Sequence, residues 1–149
     1  MCFKRIILSF LIFSLFSTAS FSQKVELKEN SNGIDFLIDN QRVLTYQTAM
    51  TEVPEGVKAE FRKSGFIHPI TSPSGQVLSR IQPPDHYHHY GVWGPWTRAT
   101  ISGREVDFWN LGDGKGRVDF AKILSKKVAG GAAELNVLQN HQDLKAPES

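Results

Sequence analysis

A chain of 149 residues can hold one domain and is marginal for two, since domains most often run to about 100–150 residues. Lys and Arg number 17 against 15 Asp and Glu, and two of the basic residues, Lys4 and Arg5, precede an apolar leader, so the charge of the remainder is balanced. No basic field is left to draw in nucleic acid, and a neutral sugar or polysaccharide suits this balance better.

Lys4 and Arg5, the apolar run 6–16 and the small polar residues 17–22 follow the three-part layout of a secretory signal peptide. The run falls short of the roughly 20 apolar residues that span a bilayer. Residues 1–22 therefore read as a signal peptide and residues 23–149 as one mature domain, periplasmic or extracellular, without membrane contact after cleavage. The single cysteine, Cys2, leaves with the leader. Disulfides and thiolate sites are thereby excluded, and any metal would rest on nitrogen and oxygen donors.

From Gln23 the pattern has period two. Val25 and Leu27 alternate with charged residues, as do Ile34, Phe36 and Ile38, and Asp39-Asn40-Gln41 reads as a hairpin bend leading to a second arm over 42–46. Residues 47–65 are irregular, with 59–62 open between strand and short helical turn. An apolar stretch follows over 66–70, a turn over 72–75 and an expected strand over 76–80. Pro83 and Pro84 cannot donate to a ladder, so the residues after them begin in a rigid loop. A second hairpin is expected from 97–101 and 105–110, then a long strand over 117–128 and another over 133–138. Seven or so strands with short turns give an all-β fold, an antiparallel β-sandwich. Residues 139–149 show no closing strand, so the chain is expected to be an incomplete fragment of a larger sandwich, with the last strand unpartnered.

Four of the five histidines lie at His68, His86, His88 and His89. Imidazole exchanges protons near neutral pH and is a common metal ligand, so Asp85-His86-Tyr87-His88-His89 concentrates possible chemistry. On an extended backbone His86 and His88 share a face and His89 takes the other, whereas in a loop all three can converge. The His-x-His spacing suits two imidazoles on one metal, with an acidic residue completing the shell. Metal-free acid–base work, sugar contact and plain loop hydrogen bonding remain open beside it. His68, among Phe66, Ile67 and Ile70, reads more readily as a core histidine than a ligand. Trp93, Trp96, Phe108 and Trp109 form an aromatic group nearby, and one exposed indole is expected to pack on a pyranose face. The loop over 112–117 lacks the phosphate-loop spacing, which leaves Asp113, Lys115 or Arg117 as groups that could reach a neighbouring site.

Taken in order, Phe66-Ile67-His68-Pro69-Ile70, the segment 73–78, Pro84-Asp85-His86-Tyr87-His88-His89-Tyr90-Gly91-Val92-Trp93, Val106-Asp107-Phe108-Trp109-Asn110 and Gly114-Lys115-Gly116-Arg117 resemble the secreted bacterial proteins called PmoA-like, which carry the label methane oxygenase. The chain departs from that pattern at Tyr90, where an arginine is expected. The resemblance implies an exported, mainly β protein associated with sugar processing, and family members longer than this chain.

The expected function is thus to bind or modify a carbohydrate through the histidine loop. Asp85, His86 and His89 are the catalytic candidates, with Asp85 orienting the imidazoles. Trp93, Trp109, His68 and Tyr90 are expected to contact substrate, and His86 and His88 to bind a divalent metal ion if one is used. The alternatives are a non-catalytic carbohydrate-binding module and a metal-dependent oxidase or oxygenase, as the label suggests. The partner is a small molecule or polysaccharide, not nucleic acid.

Overall fold

The computed structural model describes residues 23–145. The leader, including Cys2 and the expected cleavage point, lies outside them, as do residues 146–149. Among the described residues no helix is long and apolar enough to cross a membrane.

The fold is all-β and its strand pairs are antiparallel. A four-stranded sheet is formed in chain order by β1 (Val25–Glu29), β2 (Gly33–Ile38), β3 (Gln41–Gln47) and β4 (Phe66–Ile70). Asp39 and Asn40 supply the β2–β3 turn with φ of 51° and 65°, the left-handed values that Asp and Asn tolerate. Two hairpins follow, β5 (Ala99–Ile101) with β6 (Arg104–Val106), and the long β7 (Gly116–Ala129) with β8 (Ala132–Asp143). The β7–β8 hairpin packs against the first sheet. Tyr46 meets Phe120 edge-on at 6.2 Å, and Gln139 Nε2 donates to Tyr46 Oη at 3.1 Å and to the Gly65 carbonyl at 2.8 Å. Single 3-10 turns occupy Ala59–Phe61 and Leu111–Asp113.

Three expectations need correction, each for a local reason. Residues 76–80 are not a strand beyond one bridge between Thr71 and Val77, because the Ser79 hydroxyl takes the Ile70 N–H at 2.9 Å that a ladder carbonyl would otherwise accept. The arm expected over 105–110 stops at Val106, where Asp107 Oδ1 accepts the N–H groups of Trp109 and Asn110 at 2.7 and 3.0 Å and bends the backbone. The last strand does have a partner and continues through 139–143, paired from Gln139↔Phe120 to Asp143↔Gly116. Its polar side chains hide the strand period because they bond inward: Gln139 to Tyr46 and Gly65, Asp143 to Arg104 Nη2 at 2.5 Å.

Two apolar clusters organise the interior. Phe66, Tyr90 and Leu111 form one, with Phe61, Ile81 and Trp93 against it; Val106, Phe108 and Val118 form the other, flanked by Ala99 and Ile101. Full burial of each such side chain contributes about 1.5–3 kcal/mol. The first cluster positions the histidine loop, since Tyr90 lies within it at 0% exposure. Its hydroxyl donates to the Phe61 carbonyl at 2.6 Å and accepts from Gln82 Nε2 at 2.5 Å. Burial pushes the phenol up to about 12, so it stays a neutral donor at any physiological pH.

Just past Tyr90 the chain joins β4 through reciprocal bonds, Ile67 N–H to the Val92 carbonyl at 2.8 Å and Val92 N–H to the Ile67 carbonyl at 3.1 Å. Gly91 makes this approach possible. Its φ is +49°, and a Cβ there would stand 2.2 Å from the Ile67 carbonyl oxygen. Gly91→Ala is therefore expected to cost about 2–4 kcal/mol, against about 1 kcal/mol for Gly75→Ala, which has φ +84° and open space around it. Urea denaturation of the two variants checks this, and equal losses would show that close approach at Gly91 does not hold the loop.

Candidate functional site

The histidine loop is two consecutive turns. His86 N–H donates to the Pro83 carbonyl at 2.8 Å and His89 N–H to the His86 carbonyl at 3.0 Å, with Pro84 at the turn position its fixed φ favours. Before and after it, Arg80–Gly91 and Gln82–His89 backbone bonds of 3.0 and 2.8 Å clamp the ends of the loop, and the Ile81↔Tyr90 bridge sends both of those side chains into the core.

The turns bring the three imidazoles together, as a loop permits and an extended strand would not. His86 and His89 stack at 4.8 Å and 21°, while His88 stands edge-on to His89 at 4.4 Å and to His86 at 5.7 Å. Trp109 lies 6.0 Å from His89 and 6.3 Å from His88, and Trp93 lies 5.7 Å from Trp109. Asp85 accepts from His86 Nδ1 at 2.9 Å, and this bond, ahead of smaller contributions, lowers the carboxyl pKa. Six of the expected groups, Asp85, His86, His88, His89, Trp93 and Trp109, thus form one continuous strip of acid, imidazoles and indoles.

That strip borders a groove of about 480 Å³ whose walls include Ser79, Arg80, Pro83, His89, Trp93 and Trp109. A larger cavity, about 600 Å³, lies apart, between Trp96, Arg98, Ile101, Phe108 and His141. Trp96 is the indole most open to solvent, at 69% exposure, but it has no imidazole of the loop beside it. The smaller groove is the better candidate because His89 of the loop, Arg80 and the paired indoles meet there.

Two expected substrate contacts are corrected. Tyr90 is sealed in the core with its hydroxyl already bonded on both sides, so it has no surface to offer a ligand. His68 stands one side chain behind the groove, its Nδ1 2.9 Å from Ser79 Oγ, and Ser79 rather than His68 forms the wall. Burial, with Arg42 second, lowers its pKa, so it sits there as neutral imidazole.

The metal expectation finds two candidate donors, His86 and His88, but no larger cluster around them: among the described residues no group of three or more His, Cys, Asp or Glu side chains is arranged to hold a metal ion. The His86 and His88 rings stand 5.7 Å apart at 66°, and His86 Nδ1 is bonded to Asp85. His86 and His88 are left without a third donor. Of the glycine-rich loop, Asp113 and Lys115 pair with each other at 3.8 Å and Arg117 turns inward to Asp119 at 2.5 Å, and none of the three borders the groove.

Sequence reasoning assigned no role to four residues that shape the site. Asp107 fixes Trp109 through its N–H and holds Asn110 Nδ2 at 2.6 Å. Burial works to raise its pKa, but those hydrogen bonds and Lys115 outweigh it and hold the carboxyl below its usual value. Lys63, 1% exposed, places its ammonium 4.7 Å from the Trp93 ring centroid and donates to the Val118 carbonyl at 2.7 Å. Burial lowers its pKa to about 8, with Asp119 opposing, so it remains mostly charged at neutral pH. Ser79 and Arg80 complete the wall. The one signal in the chain for any of these was Asp followed by Asn three residues on, the pattern of an Asx turn.

An all-β protein with a groove of paired indoles and clustered imidazoles is the class that fold and site define. The chain belongs to a family of unknown function, DUF6807, whose model matches residues 33–148. No curated protein and no solved structure matches it.

His88 yields a pH test. Burial, then the neighbouring His89 and His86, lower its pKa from 6.5, while Asp107 opposes. The unfolded chain then takes up the proton more readily than the folded one, so the contribution of His88 to stability is complete above the unfolded value and is lost as pH falls through the folded value. His88→Gln should flatten the loss of stability as pH falls below about 6.5, read by urea denaturation at a series of pH values. An unchanged slope would place the titration elsewhere.

Proposed function

We propose that this is an exported carbohydrate-binding and carbohydrate-modifying protein, in which a sugar ring lies in the groove against Trp93 and Trp109 while imidazoles of the loop meet its hydroxyls. The observation that carries the reading is the indole pair at 5.7 Å in the groove wall, with His89, also in that wall, 6.0 Å from Trp109 and His88 6.3 Å from it. Indole faces pack on the apolar C–H face of a pyranose, and the ring edge then presents hydroxyls to polar neighbours.

The chemistry available is proton transfer. His88, held neutral, is a base at pH 7, suited to abstracting a proton from a sugar carbon or hydroxyl as in lyase-type cleavage. Asp85 orients His86 by the Nδ1 bond, which leaves its other ring nitrogen as the group that could pass a proton to a leaving oxygen. His89 stands between them at 4.8 and 4.4 Å and completes the relay wall. Export rests on the leader at 1–22 and on the resemblance to secreted PmoA-like proteins.

A non-catalytic binding module is the second reading, favoured by the stacked His86–His89 pair, which can simply brace the loop. The two separate cleanly. Trp93→Ala and Trp109→Ala should each weaken oligosaccharide binding about tenfold by isothermal titration, and binding like that of the unsubstituted chain by both variants would exclude the groove as the sugar site. His88→Ala should bind sugar but lose at least about a hundredfold of any turnover, since general acid–base groups contribute about 10²–10⁴. Unchanged turnover would leave the histidines a structural role.

A further inference from the structure

The chain is near charge balance, yet the groove has a sign. Among the described residues no acidic side chain lines it, while Arg80 and His89 do. The Arg80 guanidinium has no hydrogen-bond or ion-pair partner among the described residues; its backbone carbonyl alone is engaged, by Gly91 N–H at 3.0 Å. Gly91 faces Arg80 across that bond and has no side chain to cover it. Behind the indole, the Lys63 ammonium sits 4.7 Å from the Trp93 centroid, with Asp119 and Arg117 as its charged neighbours.

Neither nearby carboxylate lines the groove. Asp85 is 67% exposed and bonded to His86 Nδ1, and although Arg80 is close enough to help lower its pKa, the two form no ion pair. Asp107 is occupied by three donors from Trp109 and Asn110. A ligand lying on the indoles therefore meets one guanidinium without a bonded partner, the His89 imidazole and a fixed ammonium behind the ring.

We propose that the groove is specific for acidic sugars, uronate units whose ring packs on Trp93 and Trp109 and whose carboxylate is gripped by Arg80. The inference rests on the carbohydrate reading above and narrows it. A planar carboxylate matches the two parallel N–H donors of a guanidinium, a pairing that lysine cannot reproduce in geometry. A uronate also offers the loop imidazoles a target, because the C–H next to its carboxyl group is the most acidic C–H of the ring once the guanidinium neutralises that group.

The test is isothermal titration of the full chain with an oligogalacturonate and a cello-oligosaccharide of equal length, with polyglutamate as a charged chain that is not a sugar. The acidic sugar should bind at least about tenfold tighter than the neutral one, and the preference should shrink as salt rises from about 0.05 to 0.5 M. Arg80→Ala should abolish the preference and Arg80→Lys should restore part of it, both with an unchanged circular dichroism spectrum. Equal affinity for the two sugars, a preference that survives Arg80→Ala, or polyglutamate binding as tightly as oligogalacturonate would each overturn acidic specificity while leaving sugar binding standing. Failure of both sugars to bind would instead remove the carbohydrate reading itself.

Discussion

The hydroxyl of Tyr90 and the backbone bridge beside it are the constraint on which the rest depends. A loop of consecutive turns carrying three imidazoles has little reason to hold one shape, since paired histidines gain little from each other and repel once protonated. Here the loop ends in a fully buried phenol bonded to Phe61 and Gln82, and the next residues are fastened to β4 by two backbone bonds. Losing that phenol oxygen would leave the Phe61 carbonyl buried without a partner, which costs about 1–3 kcal/mol. The apolar core thus holds the polar site in shape, and each imidazole is presented by a turn rather than by its own contacts.

The same device recurs around the groove. Asp107 ends β6 by taking two backbone N–H groups, and so turns Trp109 towards Trp93 and the imidazoles. Ser79 ends the pairing next to β4 by taking the Ile70 N–H, and so exposes its segment as a wall instead of a strand. Both sites interrupt a ladder where a side chain outcompetes a carbonyl, and the interruption is what opens space for a ligand. Lys63 supplies the remaining part, a buried ammonium bonded to the Val118 carbonyl beneath Trp93.

Much of the architecture was legible because it depends on alternation and turn chemistry. β1, β2 and β3, the Asp39–Asn40 turn and the long β7 follow directly from period-two patterns and from residues that tolerate positive φ. The end of β8 was hidden because Gln139 and Asp143 bond inward through side chains, which period reading scores as polar. For the site, residue type pointed to Asp85, His86, His88, His89, Trp93 and Trp109, and the fold joins them. It could not separate Tyr90 from a surface tyrosine, since burial of a phenol depends on partners 29 and 8 residues away, Phe61 and Gln82. Arg80 and Lys63 were silent for the same reason: a free guanidinium or a buried ammonium is defined by what surrounds it, not by its neighbours in sequence.

The central claim is that a sugar rests on Trp93 and Trp109 beside the imidazoles. The chain has three tryptophans, and the third, Trp96, lies on the separate larger cavity. The three indole N–H signals in a nitrogen-correlated NMR spectrum therefore report the binding place directly. On titration with an oligogalacturonate, the account predicts that the Trp93 and Trp109 signals move together and saturably while that of Trp96 stays in place. Movement of Trp96 alone, or of none of the three, would contradict it.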